Sequence, residues 1–296
     1  MSKRVQDTSV KLLRSLVKWS SRLAGALVLR ANMTAMNLRS GATESEIEAW
    51  LGDLNVFFIL AIGRSGSMFL THLLNQAPEA QVYHEPVLVD FAAYTEAFHN
   101  EKIAEYYLRR FRKKEIYLRI QDESLGTYGE VNTNLRRHCN ALKQEFPNVI
   151  LIHLVRDGRD VVRSMMSRRT FQAWDPVTAQ IHPHEEDRWA GAWPQMDRFE
   201  KLCWYWMTEN RYLRHAINRT VQFEKLLSDY EYFASELLAP LNLTIPKYAW
   251  RTAKERPKNV TRQYQISHWS DWDTDKKQAF ERICGGEMRE NGYVID

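Results

Sequence analysis

Cysteine is scarce: the 296-residue chain holds three, Cys139, Cys203 and Cys284. They form no CxxC pair and no Cys/His cluster of zinc spacing, which argues against a disulfide scaffold or a structural metal. The expected setting is a reducing, cytoplasmic compartment. No apolar run reaches the ~18 residues that a membrane-spanning helix needs. Charge of one sign is also missing from most of the chain. The net charge is +4, yet residues 1–36 carry seven basic side chains against Asp7, a sum of +6, so the remainder sums to −2. No basic stripe runs through that remainder, which excludes nucleic acid as an expected partner.

What is present is material for one large core. Hydrophobic residues make up 44% of the chain, with 10 Trp, 13 Tyr and 12 Phe; we expect a single domain over residues 37–296. Residues 1–36 form a separate basic segment. Within it, residues 10–29 place Leu13, Leu16, Leu23 and Leu27 on one side of a helix and Lys11, Arg14, Lys18 and Arg22 on another. Such a helix suits a peripheral contact with an anionic membrane surface, packing on the domain, or a targeting role.

The informative stretch is Asn55 to Gln76. Val56 to Ile62 is a charge-free apolar run, as expected for a parallel strand buried on both faces. It leads into Gly63-Arg64-Ser65-Gly66-Ser67, and a helix pattern starts at once with Met68, Phe69, Leu73 and Leu74. A strand, a glycine-containing turn and a helix amino terminus together form an anion site, because first-turn N–H groups lack internal partners and the helix dipole favours negative charge. The loop is not an ordinary nucleotide P-loop, since no lysine follows Gly66. Arg64 stands inside the turn instead.

Further strands are expected at Gln81–Tyr83, Ile116–Gln121, Val149–Val155 and Thr220–Phe223, separated by helical patterns. The alternation predicts an α/β fold of three layers, a mainly parallel sheet of about five strands flanked by helices. Pro86 biases Glu85 toward extended torsions and so holds its carboxylate at the end of the second strand. In an open parallel sheet that edge is where ligands bind. The basic end of the next helix, Arg109, Arg110, Arg112, Lys113 and Lys114, is expected to be a solvated face. Thr43 to Glu46 has the form of a capping box. The Trp-rich stretch from Asp187 to Asn218 is expected to be helical and to belong to the core, and Thr170 to His184 to be a loop beside the ligand edge.

Arg156 to Ser164 repeats the strand-turn-helix grammar at a second strand end. A guanidinium fixed there grips a phosphate in two-point fashion while the serine hydroxyl adds a donor. Two anion sites on one sheet edge imply a ligand with two separated phosphate groups.

At these residues the chain resembles the sulfotransferases that use 3'-phosphoadenosine 5'-phosphosulfate (PAPS). Gly63 to Ser67 resembles their 5'-phosphosulfate loop, in the Arg-Ser-Gly form of carbohydrate and tyrosylprotein members. Arg156 to Ser164 resembles their 3'-phosphate motif, Phe223-Glu224-Lys225-Leu226 a Tyr-Glu-Asp-Leu segment, and His268 to Tyr293 the last helix of bacterial members. The resemblance implies transfer of a sulfuryl group from PAPS to an acceptor hydroxyl, on a carbohydrate by loop type, with no metal. It implies donor contacts at Gly63, Arg64, Ser65, Gly66, Ser67, Met68, Arg156 and Ser164, with Arg64 stabilising charge and Glu85 as base. Asp122 and Glu123 are rivals for the base. Lys258, Arg262 and Trp269 are candidates to complete the nucleotide contacts, because the Arg-Lys-Gly loop of cytosolic members is missing. An ATP-dependent phosphotransferase and a non-catalytic membrane-peripheral protein are the alternatives.

Overall fold

The computed structural model describes residues 42–120, 126–172, 175, 178–255, 261 and 263–295. The basic segment 1–36, and with it the reading of residues 10–29, lies outside the described residues, as do Asp122, Glu123, Lys258 and Arg262. Five strands, β1 (Asn55–Ala61), β2 (Ala80–His84), β3 (Thr127–Asn132), β4 (Ile150–Val155) and β5 (Thr220–Gln222), form one sheet in the order β2-β3-β1-β4-β5. Every pairing is parallel.

The apolar run of β1 occupies the middle of this sheet because side chains alternate faces along a strand. Val56, Phe58 and Leu60 belong to a core under the Glu44–Gly52 and Cys139–Glu145 helices. Phe57, Ile59 and Ala61 belong to the opposite core, with Leu70, Leu73 and Leu74 of the Ser67–Leu74 helix. A third cluster surrounds the long Arg198–Ala216 helix, where Trp204, Trp206 and Phe199 pack with Trp272, Phe280 and Ile283 of the chain's last quarter. This is the expected three-layer α/β arrangement. The capping box at Thr43 is present, with Glu46 N donating to Thr43 Oγ1 at 3.2 Å and Thr43 N to Glu46 Oε2 at 2.7 Å. Among the described residues no helix is long and apolar enough to cross a membrane.

Three expectations are overturned. Ile116–Gln121 is not a strand: Lys113–Ile120 is a helix, and the third strand lies at Thr127–Asn132. Ile116 and Ile120 sit one turn apart and both face the core, while Arg119 pairs with Glu115 at i−4. In the real β3, Gly129 is required by packing, since a Cβ there would lie 2.0 Å from Phe57 Cζ. The basic stretch from Arg109 is a solvated face only in part: Arg109 and Arg110 are half exposed, but Arg112 and Lys113 are buried. The Arg112 side chain is fully buried, paired with Asp90 at 3.2 Å and with Glu115 and Glu130. Lys113 pairs with Glu48 and Glu145. Burial raises the Asp90 carboxyl to about 6 even though Arg112 pulls it down. Finally, the helix expected over Asp187–Asn218 begins only at Arg198, where Asp197 and Glu200 form a second capping box.

Candidate functional site

The turn after β1 bends through two left-handed residues, Arg64 at φ 74° and Gly66 at φ 90°. Gly66 ends the turn as the N-cap of the Ser67–Leu74 helix and supplies no side-chain cap. The first intrahelical bond runs from Leu70 N to Gly66 O at 3.0 Å, so the amides of Ser67, Met68 and Phe69 precede the ladder. Glycine is needed at 66 twice over. Its φ disfavours a side chain, and a Cβ would lie 2.1 Å from the Phe223 ring. The Ser65 hydroxyl is buried and among the described residues has no hydrogen-bond partner. Such a group is costly unless something outside the chain satisfies it.

The turn after β4 is built differently. Asp157 caps the Gly158–Met166 helix by accepting from Arg159 N at 2.8 Å. Gly158 N reaches Met288 Sδ at 3.3 Å, and Asp157 N donates to Glu224 Oε1 at 3.1 Å. The amides at this second turn are therefore used by the protein itself, and what it offers an anion is side chains. Arg156 donates from Nη2 to Asp160 at 3.1 Å, and its buried Nε has no hydrogen-bond partner among the described residues.

The two turns interlock. Arg156 Nη1 donates to the Arg64 carbonyl at 3.1 Å. The Arg64 side chain lies across to the other turn, with Nε donating to Ser164 Oγ at 2.9 Å and Nη2 to Thr261 Oγ1 at 3.1 Å. Ser164 and Thr261 are themselves 2.9 Å apart. Burial, then the charges of Arg168 and Arg156, lower the pKa of Arg64 from its ordinary value. Cations held this close stabilise a bound anion and oppose one another without it.

Glu85 does stand at the carboxyl edge of the sheet, but not as the sequence implies. Its φ is 44°, left-handed rather than extended, and β3 lies between its strand and β1. Its carboxylate accepts from the Thr133 hydroxyl at the end of β3. His84 is directed at the phosphate-type loop, with Nε2 2.9 Å from Ser67 Oγ. In front of Gly63 and Arg64 opens a cleft of about 250 Å³, lined also by Tyr94, Thr133, Asn134, Arg136, Asp175 and Tyr205. Glu85 does not line it; its partner Thr133 does.

Several of these residues are invisible to sequence reasoning. Thr133, Asn134 and Arg136 follow a strand that local pattern misplaces, and Tyr205 is hidden in a run of aromatic core residues. Thr261 carries no motif at all. Phe223, quoted only as part of a segment, covers Gly66 and lies against Arg156, whose guanidinium carbon is 5.4 Å from the ring centroid. Trp269 lies against the second turn, under the guanidinium of Arg159 at 4.4 Å. Among the described residues no three His, Cys, Asp or Glu side chains form a group that could hold a metal ion.

A family model described as "Sulfotransferase family" matches residues 57–247, which include both turns, Glu85 and the cleft. No curated protein matches the chain closely enough to count as a relative. Among solved structures, sulfotransferase STF1 from Mycobacterium tuberculosis H37Rv is similar at 14% identity and a TM-score of 0.50, covering 88% of this chain and 84% of its own. A sulfotransferase from Alicyclobacillus acidocaldarius matches at 13% identity and a TM-score of 0.41, covering 81% and 97%. Mouse sulfotransferase SULT7A1, solved in complex with PAP, matches at 13% identity and a TM-score of 0.47, covering 82% and 89%.

Proposed function

Because the chain belongs to the sulfotransferase family, we propose that it transfers the sulfuryl group of PAPS to an acceptor hydroxyl, on a carbohydrate by the resemblance of its Arg-Ser-Gly loop. The observation that carries this reading is the interlocked pair of turns, in which Arg64, Ser164, Thr261 and Arg156 form one cationic patch at the sheet edge. The residues present suit a doubly anionic nucleotide. An uncapped helix amino terminus and the Ser65 hydroxyl, without a partner among the described residues, suit one anion, and the Arg156 guanidinium, beside Asp160 and Glu224, suits another.

In this reading the Gly63 to Met68 loop binds the phosphosulfate end through its amides, and Arg156 with Ser164 binds the 3'-phosphate. Arg64, drawn from Ser164 toward the sulfuryl group, stabilises the charge that develops on the bridging oxygen as adenosine bisphosphate leaves. A guanidinium does not give up its proton readily, so its role is electrostatic. The acceptor oxygen forms the new bond to sulfur, the bridging S–O bond breaks with its electron pair on the bisphosphate, and the hydroxyl proton passes through the Thr133 hydroxyl to Glu85. Thr133 stands between Glu85 and the cleft and positions that carboxylate. Asp175, which lines the cleft directly, is the competing base.

Two measurements test this. Titration with adenosine 3',5'-bisphosphate should show saturable binding that ATP with magnesium does not match; tight ATP binding with indifference to the bisphosphate would overturn the reading. Glu85→Gln should lower kcat by about 10²-fold with little change in bisphosphate affinity, as loss of a general base does. If Asp175→Asn gives that loss and Glu85→Gln does not, the base is Asp175.

A further inference from the structure

The floor of the cleft holds more hydrogen-bond donors than the protein uses. Arg136 is 3% exposed and its guanidinium is fixed flat against Tyr94, 3.6 Å from the ring centroid. Of its five N–H groups, one from Nε goes to Glu209 at 2.8 Å, one from Nη1 to the Thr133 carbonyl and one from Nη2 to the Tyr205 hydroxyl. One N–H on each Nη remains without an acceptor among the described residues. Tyr205 receives from Arg136, and its hydroxyl lies 3.4 Å from that of Tyr94, whose single proton goes to Glu209 at 3.2 Å. The Asn134 side-chain amide, at the same wall, has no hydrogen-bond partner among the described residues.

The charge is also unbalanced. Glu209 is fully buried and accepts from Arg136, from Arg137 and from Tyr94. Two guanidiniums thus share one carboxylate behind the floor, an excess of one positive charge before Asp175 at the mouth is counted. Asp175, the acidic group at the mouth, is engaged by Thr178 and by Phe171 N.

We propose that Arg136, Tyr205 and Asn134 recognise a carboxylate on the acceptor. The sulfated substrate is then a hydroxylated acid of about one ring in size, such as an acidic sugar residue, free or within a longer chain. The inference rests on the sulfotransferase reading and names its acceptor class. A cleft of about 250 Å³ is at the small end for ligand sites, which suits a single ring. The geometry gives the acid a floor of donors and leaves its hydroxyl at the Arg64 end.

The test uses the full chain with PAPS and three matched acceptors: a uronic acid glycoside, its methyl ester and the corresponding neutral hexoside. The acid should exceed both others in kcat/KM by about 10- to 100-fold, the range of a charge-assisted contact. Tyr205→Phe, which removes one oxygen and leaves the ring packing, should narrow the acid-to-ester ratio while bisphosphate affinity stays as a control. Arg136→Lys should narrow it further if the variant folds. Equal kcat/KM for acid and ester would overturn the inference, as would a Tyr205→Phe variant that lowers both alike. Because bisphosphate binding reports on the donor site and turnover of the neutral hexoside on sulfuryl transfer itself, either result leaves the sulfotransferase reading standing. A chain that binds no bisphosphate and turns over no acceptor would remove both.

Discussion

The turn after β1 and the turn after β4 lie on neighbouring strands and touch through Arg156 and Arg64. The first keeps its helix amides open, is uncapped at Gly66 and buries a serine hydroxyl that has no partner among the described residues. The second closes its own amides with Asp157, Met288 and Glu224 and presents only side chains. One repeated sequence grammar therefore serves two purposes. A backbone nest holds an anion at fixed distance and suits the end where bonds change, because preorganised donors need no rearrangement as charge develops. A guanidinium on a closed turn suits the end that only has to be gripped.

This contrast can be broken at four places. Arg64→Ala should have the largest effect, a fall of about 10²- to 10³-fold in kcat with bisphosphate affinity nearly kept, read by single-turnover kinetics beside calorimetry. Equal losses in rate and affinity would show that Arg64 is simply a second phosphate clamp. Gly66→Ala should come next: the added methyl meets Phe223 and the left-handed φ, so donor affinity should drop by about 10-fold or more and stability by about 1–3 kcal/mol. A Phe223→Ala partner change should recover part of the stability and less of the affinity. Arg156→Ala should weaken bisphosphate binding by about 10- to 100-fold through loss of charge-assisted bonds, with kcat at saturating donor much less affected. The smallest effect should be Asp157→Ala, which opens the second turn's cap. Its cost is about 1 kcal/mol in denaturant unfolding, with donor affinity hardly moved; a large affinity loss would mean the second turn's backbone contacts the ligand after all.

How much of this could be read from residues alone follows from how local each cause is. The β1 strand and its loop are legible because a charge-free run, two glycines and a helix pattern lie within a few positions of one another. The second turn is legible for the same reason, as is the capping box at Thr43. β3 is not, because Gly129, Glu130 and Asn132 are poor strand formers taken singly. They are placed by distant partners, Gly129 by the Phe57 ring and Glu130 by Arg112. The same ion cluster hid the burial of Arg112, since a basic run looks solvated until its acids arrive from other elements. The cleft suffered most. Tyr94, Arg136 and Tyr205 come from three segments whose meeting no periodicity announces, and Glu85 takes a left-handed torsion against the bias that Pro86 suggests.

Thr261 has a consequence for assembly. It bridges Arg64 and Ser164 from positions 197 and 97 residues further along the chain, and Met288 and Tyr293 brace the second turn and its Glu224 neighbour from further still. Strands β1 to β4 can be in place on a growing polypeptide while the nucleotide seat is still missing two of its walls. On the proposed reading, competence to hold donor therefore arrives late in synthesis, after the scaffold that carries it.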